Sequence, residues 1–332
     1  MESKIMTQVP KISIITPIYK TEKYLDKCLS SLVSQTLDDI EFIWIDNAAN
    51  DECRDIISKY ANKRSNIKVI NLTENVGYSG AMNLGIKEAS GKFVGFCDSD
   101  DWVDEDYYEK LYSKVKSNTD VVYCEFVSEY PDGHKKYKKF RKTELSECKC
   151  ALLEALAAGS IWNAIFSNKL IKENNIHFSL SKNSIYKDNY FAIQAAYHAK
   201  YPELLNNMYY HYVQRPGSTI NNLSLDQQAE SAYELLQEIF SIDYIALAAE
   251  SEQRIISEFL LATLPVHLLK KFPSEMKPIT NTVYFKELYK RVTAFSNPTI
   301  MQRIFSIADH IYKPYRKIRF LGLSIKLKTK KG

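Results

Sequence analysis

The sequence predicts an α/β protein built on a mostly parallel sheet that helices cover on both faces. Short β-branched runs alternate with segments of roughly 10 to 15 residues in which apolar side chains recur at helical spacing. Helices of that length connect parallel strands. The composition, 45% apolar and 25% charged over 332 residues, is that of a globular protein. A chain of this length forms one large domain with an appendage, or two domains.

The elements follow one another in a regular order. We expect strands at 11–17, 41–45, 67–72 and 92–96, with helices at 24–33, 51–60 and 78–89 between them. The later part is predicted to contain a helix near 104–117, a strand at 121–127, a hairpin turn at 131–133 and a helical segment at 145–170 broken at 159–163. From about residue 224, long amphipathic patterns predict a C-terminal helical appendage.

A crowded group of acids follows the fourth strand, in GFCDSDDWVDEDYY. Ligands of such sheets bind at the carboxyl ends of the strands, where this stretch lies. In extended backbone the side chains of Asp98 and Asp100 point to the same side, where two carboxylates beside a phosphate-sized cleft would take Mg²⁺ or Mn²⁺. The acids at 104–106 are explained by the preference of negative charge for a helix start.

Charge and cysteine usage narrow the function classes. The formal net charge of +4 is too small to indicate a nucleic-acid-binding protein. Six cysteines without paired CxxC spacing predict reduced thiols in a cytoplasmic protein. Residues 1–10 carry no apolar signal segment, and the apolar stretch 255–269 is too short and too interrupted to span a bilayer.

Two basic segments each leave two interpretations open. The segment 135–142 is a solvated strand or a contact with an anionic acceptor or lipid surface. The tail 316–332 mixes basic and apolar residues, so it suits peripheral binding to the anionic inner face of the cell membrane, or is a frayed terminus.

Several motifs together resemble a known family. KISIITPIYKTEKYLDKCLSSLVSQTL, FIWIDNAAND and ENVGYSGAMNLGIKEASGKFVGFCDSDDW resemble, in this order, the nucleotide-sugar half of a family 2 glycosyltransferase with the GT-A fold. The likeness continues through IWNAIFSNKLIKENNIHF, YKDNYFAIQAA and YHYVQRPGSTINN. It implies a catalytic domain at 1–222, with a nucleotide-sugar half at about 1–118 and an acceptor half at 119–222, followed by a helical region at 223–315 and the tail 316–332.

The resemblance also implies a site. Residues expected to bind the nucleotide-sugar donor are Thr16, Pro17, Tyr19, Asp46, Asn47, Gly77, Asp98, Ser99, Asp100 and Arg215. Asp100 and Asp101 would hold a Mn²⁺ or Mg²⁺ ion that bridges the donor diphosphate. Trp162 and Asn163 would contact the acceptor, with core packing as the alternative for Trp162. Asp188 would be the base that removes the proton of the acceptor hydroxyl. His211 is a second candidate cation beside Arg215.

The implied function is inverting transfer of a hexosyl or N-acetylhexosaminyl group from a UDP-sugar to a hydroxyl of a glycan or lipid-linked glycan, in surface polysaccharide synthesis. Three departures from the family pattern stand at Asn47, Met82 and Lys187, where the family often has Asp, Arg and Glu. Because of these departures, a non-catalytic module that binds sugar nucleotides stays an alternative interpretation. A sugar nucleotidyltransferase is a further alternative. A dinucleotide-dependent dehydrogenase is disfavoured because no GxGxxG follows the first strand.

Overall fold

The computed structural model describes residues 9–62, 64–139, 160–181 and 186–215, single residues between 227 and 243, and two short strands near the end of the chain. The chain divides into two compact units, 1–180 with 187–218, and 181–186 with 219–332. The expected helical region at 223–315 and the tail at 316–332 lie almost wholly outside the described residues.

The first unit opens with four parallel strands in the spatial order β3-β2-β1-β4. The strands are β1 (Ile12–Ile18), β2 (Ile40–Asn47), β3 (Ile67–Leu72) and β4 (Phe93–Phe96). The helices between them are α1 (Glu22–Val33), α2 (Asp51–Ala61) and α3 (Gly77–Glu88). All seven elements were predicted from the periodicity of the sequence. Because the strands are parallel, the loops that follow them meet at one edge of the sheet.

The sheet continues beyond β4 with mixed strand directions, giving eight strands within the described residues. β7 (Ala164–Ser167) pairs antiparallel with both β4 and β5 (Val121–Glu129). β5 is also paired with β6 (Lys135–Lys138), antiparallel, and with β8 (Pro202–Val213), parallel. Three shorter helices accompany these strands: α4 (Tyr107–Tyr112), α5 (Asn168–Glu173) and α6 (Lys187–His198).

The sequence prediction was wrong in part of this second half. Within the expected helical segment 145–170, Ala164–Ser167 forms a strand. A short apolar run has no periodicity that distinguishes a helix from a strand. Here the run pairs with both β4 and β5 and so completes the sheet between them. Residues 145–159 lie outside the described part. The helix expected near 104–117 is shorter, at Tyr107–Tyr112. β8 was not predicted, since Asn206 and Asn207 interrupt it where its register with β5 shifts.

Hydrophobic packing covers both faces of the parallel strands. On one face Phe42 and Trp44 are buried with the apolar sides of α1, α2 and α4. On the other, Phe96 contacts Phe166 and Phe191 through tilted and edge-on ring pairs. The described cysteines, Cys28, Cys53, Cys97 and Cys124, are free and buried, as expected. Among the described residues, no helix has both the length and the apolar character needed to cross a membrane.

The basic strand β6 is exposed along its whole length, which agrees with the solvated alternative. Lys135 forms an ion pair with Glu129 on the neighbouring strand, with Nζ and Oε1 2.6 Å apart. In the second unit, Arg319–Phe320 (β9) and Leu323–Ser324 (β10) pair antiparallel.

Candidate active site

The acids after β4 converge through a turn. The strand ends at Phe96, and the backbone N–H of Asp101 donates to the carbonyl oxygen of Asp98 at 3.0 Å. The extended geometry expected for 98–100 is therefore wrong. Because the chain turns here, Asp101 lies beside Asp98 and Asp100. Carboxylate oxygens of the three residues lie within 4.8 Å of one another. We call residues 98–101 the acid turn.

Asp101 carries the feature that fits a metal ion. Its side chain is 1% exposed, and its Oδ1 accepts a hydrogen bond from the backbone N–H of Val213 at 2.7 Å. Its Oδ2 is buried without a hydrogen-bond partner among the described residues. Burial, reinforced by the charges of Asp100 and Asp98, raises the pKa of Asp101 well above its ordinary value. Three hard oxygen donors, one of them unsatisfied, suit Mg²⁺ or Mn²⁺, which would also offset their repulsion.

Arg215 lies at the acid turn, although it follows a distant strand. Its Nε donates to Asp100 Oδ2. The pairing positions one guanidinium group beside the carboxylates, where a donor diphosphate is expected. His211 has other partners: its Nδ1 lies 3.0 Å from Glu129 Oε1, and its ring stacks on Trp102 with centroids 3.6 Å apart.

Asp188 lies near the start of α6, as the sequence predicted, and contributes an unpaired oxygen. Its Oδ1 is buried and has no hydrogen-bond partner among the described residues. Burial raises the pKa of Asp188 to about 7. A carboxylate with such a pKa is a useful proton acceptor near neutral pH.

Tyr78 lies beside the acid turn. Its hydroxyl donates to Asp98 Oδ1 at 3.2 Å, and burial, followed by the charges of Asp188 and Asp98, raises the pKa of Tyr78 well above its ordinary value. Burial, followed by the charges of Asp188 and Asp100, raises the pKa of Asp98 well above its ordinary value. Sequence reasoning did not select Tyr78. The available signal was only its position at the start of the helix that follows β3, at the edge where ligands were expected.

The residues expected around the nucleobase form a hydrogen-bonded loop. The amide nitrogen of Asn47 donates to Asn75 Oδ1 at 3.0 Å and to the carbonyl of Gly77 at 3.3 Å, while its oxygen accepts from Val76 N–H at 2.9 Å. Gly77 has a φ of 76°, a backbone conformation that favours glycine. One lone pair of the Asn47 oxygen remains for a ligand.

The remaining residues of the expected donor site have definite partners. Asp46 is buried and accepts from Ala49 N–H at 2.7 Å and from Arg54 Nε at 2.8 Å. Ser99 is buried and accepts from the hydroxyl of Thr21 at 3.0 Å. Thr16 and Pro17 are buried at the end of β1, and Tyr19, 38% exposed, follows them. A hydrogen bond with Asn75 lowers the pKa of Tyr19.

Trp162 and Asn163 are placed in the interior. Trp162 is 6% exposed and stacks on Tyr210 and Tyr212, with ring centroids 4.4 Å and 5.1 Å away. Asn163 donates to the carbonyl of Cys124 at 2.6 Å and accepts from Ser160 at 3.0 Å. This placement favours the packing alternative for Trp162, and acceptor contact by either residue stays a prediction.

A parallel α/β core with an acid turn at the carboxyl edge of its strands defines the GT-A class of nucleotide-sugar transferases. The family model described as "Glycosyl transferase family 2" matches residues 13–180, about half of the chain. The chain therefore belongs to glycosyl transferase family 2, and the family and fold expected from its motifs are confirmed.

Two relatives come from Bacillus subtilis (strain 168). EpsH, named as a glycosyltransferase, is 31% identical over 211 residues, which cover 62% of this chain and 61% of EpsH. The glycosyltransferase EpsJ is 29% identical over 218 residues, covering 63% of each protein. The chain thus matches less than two thirds of the length of these relatives.

A solved structure extends the likeness over most of the chain. Residues 1–349 of Staphylococcus aureus TarS, in complex with UDP-GlcNAc, match with a TM-score of 0.69 and 23% identity, covering 96% of both chains. TarS is named as a poly(ribitol-phosphate) beta-N-acetylglucosaminyltransferase. At this level of identity the match shows a shared fold.

Proposed function

We propose that this protein is an inverting glycosyltransferase that transfers a sugar from a UDP-sugar to a hydroxyl of a glycan or lipid-linked glycan in surface polysaccharide synthesis. The observation that carries the proposal is the position of Asp188. Its unpaired Oδ1 belongs to a carboxylate whose charge contributes to the raised pKa of Asp98 in the acid turn. A candidate general base therefore lies within electrostatic reach of the edge proposed to bind the diphosphate.

The donor would occupy the edge formed by Tyr19, the Asn47 loop and the acid turn. A UDP-sugar is favoured because the TarS fragment, which shares the fold, is described in complexes with UDP-GlcNAc and with UDP. Asp100 and Asp101, with Asp98 at the same turn, would hold Mn²⁺ or Mg²⁺. When bound, that ion supplies positive charge to the departing diphosphate. Arg215 would supply a second positive charge from the protein itself.

Asp188 would act on the acceptor. As the acceptor hydroxyl attacks the anomeric carbon, its proton passes to Asp188 and the bond to the nucleoside diphosphate breaks, with inversion at that carbon. The raised pKa of Asp188 supports this role because it brings the basicity of the carboxylate close to neutral pH. A hydroxyl of a surface polymer as acceptor is supported by TarS, which is named for transfer to poly(ribitol-phosphate).

The proposal includes a location that the sequence suggested. We infer that the protein acts in the cytoplasm and that residues 316–332 contact the anionic inner face of the membrane. The basic composition of that tail supports the contact. Since the tail lies outside the described residues apart from two short strands, this inference depends on sequence alone.

The donor and the metal are tested by a thermal-shift screen of UDP-, GDP- and dTDP-sugars with and without Mn²⁺. A ligand present at 100 times its Kd stabilises the folded state by about 2.7 kcal/mol, so a true donor raises Tm measurably. We expect UDP-sugars with Mn²⁺ to give the largest rise, and Asp100→Ala to remove its metal-dependent part.

Asp106→Ala is the matched control, because Asp106 is a nearby acid that pairs with Lys110 outside the acid turn, at 2.6 Å. It should respond like the wild type. If no nucleotide sugar shifts the Tm of the wild type with or without metal, the donor proposal is wrong. Binding without release of UDP in the presence of glycan acceptors would instead support the non-catalytic alternative.

A further inference from the structure

The strands β5, β6 and β8 have one face in the interior and one face towards solvent. Over residues 126–129, β5 pairs with both β6 and β8, so these two strands lie on opposite sides of it. Paired residues share a face of the sheet, and successive residues of a strand alternate between its faces. Phe126 and Tyr210, which are paired, pack with Trp162 at ring-centroid distances of 4.9 Å and 4.4 Å. The hydrophobic core therefore covers their face.

The opposite face carries aromatic and basic side chains. The odd-numbered positions of β5 point to it, together with Lys135, Tyr137 and Tyr209, which pair with them. Tyr137 is 53% exposed and packs edge-on against Tyr209, with ring centroids 5.0 Å apart. The Nζ atom of Lys139 lies 6.0 Å from the centroid of the same Tyr209 ring. Similarly, Nζ of Lys135 lies 6.0 Å from the centroid of the Trp102 ring. We call the row formed by Trp102, Lys135, Tyr137, Tyr209 and Lys139 the basic-aromatic face.

This row begins at the acid turn. Trp102 directly follows Asp101, and its backbone exchanges two hydrogen bonds with His211 of β8, at 3.4 Å and 3.2 Å. The indole N–H of Trp102 donates to Glu129 Oε2 at 3.0 Å, and Glu129 Oε1 lies 2.6 Å from Nζ of Lys135. The start of β6 is thus connected to the residue that follows the acid turn, and a chain that leaves the proposed site there would meet Trp102 first.

Positive charge remains uncompensated along the row. The carboxylate of Glu129 is paired with Lys135 and, at 3.9 Å, with Lys27. The Nζ atom of Lys27 also lies 3.7 Å from the centroid of the Trp102 ring. At the far end, Lys139 is exposed and forms no ion pair with any residue that the structure describes. Such a surface attracts an anionic partner.

We propose that the basic-aromatic face binds the acceptor, and that this acceptor is a sugar or polyol chain that carries phosphate groups. The inference rests on the proposed function, whose acceptor it specifies. Aromatic rings offer an apolar surface to the C–H groups of such a chain, while lysine ammonium groups bind phosphate as point charges. A lipid surface fits less well, because β6, with the sequence KKYK, has no aliphatic apolar residue to insert into it.

Two matched polymers test the inference with the full chain. Dextran phosphate and unmodified dextran of the same length differ only in their phosphate groups. By calorimetry at low ionic strength, we expect dextran to bind at least roughly 10-fold more weakly than dextran phosphate, as when one hydrogen bond to a charged group is lost. High salt should weaken the binding of dextran phosphate, since it screens exposed charges.

Two variants locate the binding surface. Tyr137→Ala should weaken the binding of dextran phosphate roughly 3- to 10-fold through the lost ring contact. Lys139→Glu should weaken it roughly 10-fold or more, because a repulsive charge replaces a phosphate ligand. Neither residue belongs to the proposed donor site, so the rise in Tm caused by UDP with Mn²⁺ should be that of the wild type in both variants.

The matched controls lie elsewhere on the surface. Tyr201→Ala removes a tyrosine of almost the same exposure, 51%, beside the opposite end of β8, and Lys87→Glu reverses an exposed charge on α3. Both controls should bind dextran phosphate like the wild type. Absence of binding, equal binding of the two polymers, or equal losses in the variants and their controls would overturn the inference.

A membrane role for the face has its own signature. If Lys139→Glu reduced sedimentation with anionic vesicles but left the binding of dextran phosphate unchanged, the face would bind lipid and the inference would be wrong. All of these outcomes leave the proposed function standing. A wild type that neither binds UDP nor releases it from a UDP-sugar would contradict the proposed function instead.

Discussion

Individual acids of this protein differ in role according to what surrounds their carboxylates. Asp98, Asp100 and Asp101 converge within one turn, and the orphaned Oδ2 of Asp101 favours a cation there. Asp106, a few residues later, pairs with Lys110 one helical turn on. The acids crowded in this stretch of sequence therefore form two groups: those at 98–101 belong to a candidate binding site, and those at 104–106 lie at the start of a helix.

Replacing the proposed base separates binding from chemistry. Asp188→Asn should keep the affinity for UDP with Mn²⁺ and reduce transfer by about 10² to 10⁴, the usual contribution of a positioned general base. Calorimetry with UDP and an assay of UDP release measure the two effects. Transfer at the wild-type rate would show that another group removes the proton.

The raised pKa of Asp188, about 7, also predicts a pH dependence. Wild-type transfer should rise between pH 6 and pH 8 as Asp188 loses its proton. The stability of the fold should change in the opposite direction. In the unfolded chain Asp188 loses its proton from about pH 4 upward, whereas in the folded protein it keeps the proton until about pH 7. The contribution of Asp188 to the free energy of unfolding therefore falls between about pH 4 and pH 7. The Tm of Asp188→Asn minus the Tm of the wild type should therefore be larger at pH 8 than at pH 5.

At the scale of elements, the close approach of α3 to β1 helps position the first turn of α3, which carries Tyr78. A Cβ added at Gly85 would lie 2.3 Å from Ile15 Cγ2, well inside contact distance. The sheet also depends on β7 and β8, which extend it beyond β4 and carry the chain to Arg215. Arg215 reaches the acid turn because β8 ends at the same edge as β4.

Gly85→Ala is expected to destabilise this packing. Overpacking a core costs about 1–3 kcal/mol, while the better helix propensity of alanine returns up to about 1 kcal/mol. We expect a net loss of about 1–2 kcal/mol in the free energy of unfolding, measured by urea denaturation. Lys87→Ala, an exposed change on the same helix, should stay within about 0.5 kcal/mol of the wild type. Equal stability of both variants would show that α3 can shift away from β1.

At the scale of the whole molecule, the proposed site lies within the first compact unit. The donor edge, the acid turn, Asp188 and Arg215 all belong to residues 1–180 or 187–218. The tail belongs to the second unit, so its proposed role can be removed without deleting any residue of the site.

Deletion of residues 316–332 should abolish sedimentation with vesicles rich in anionic lipid, because each basic residue near such a surface contributes about 1 kcal/mol. UDP binding should be unaffected. The full chain on neutral vesicles, and on anionic vesicles at high salt, provides the controls, since screening weakens the attraction. Unchanged sedimentation of the shortened chain would rule out the tail as the membrane contact.

The sequence by itself determined the parallel half of the sheet, its helices, and the edge at which a ligand would bind. These follow from periodicity, which is local and therefore readable along the chain. The order of the motifs also determined the family, and it led to Asp188 and Arg215 as candidate site residues.

Only the tertiary structure decided how those residues meet. The pairing of Arg215 with Asp100, the contact of the Tyr78 hydroxyl with Asp98, and the buried stacking of Trp162 depend on contacts between segments far apart in the chain. Such contacts leave little local pattern, since a tyrosine at the start of a helix looks the same whether it faces solvent or a carboxylate. The strand Ala164–Ser167 was missed for the same reason, because its neighbours in the sheet determine its conformation.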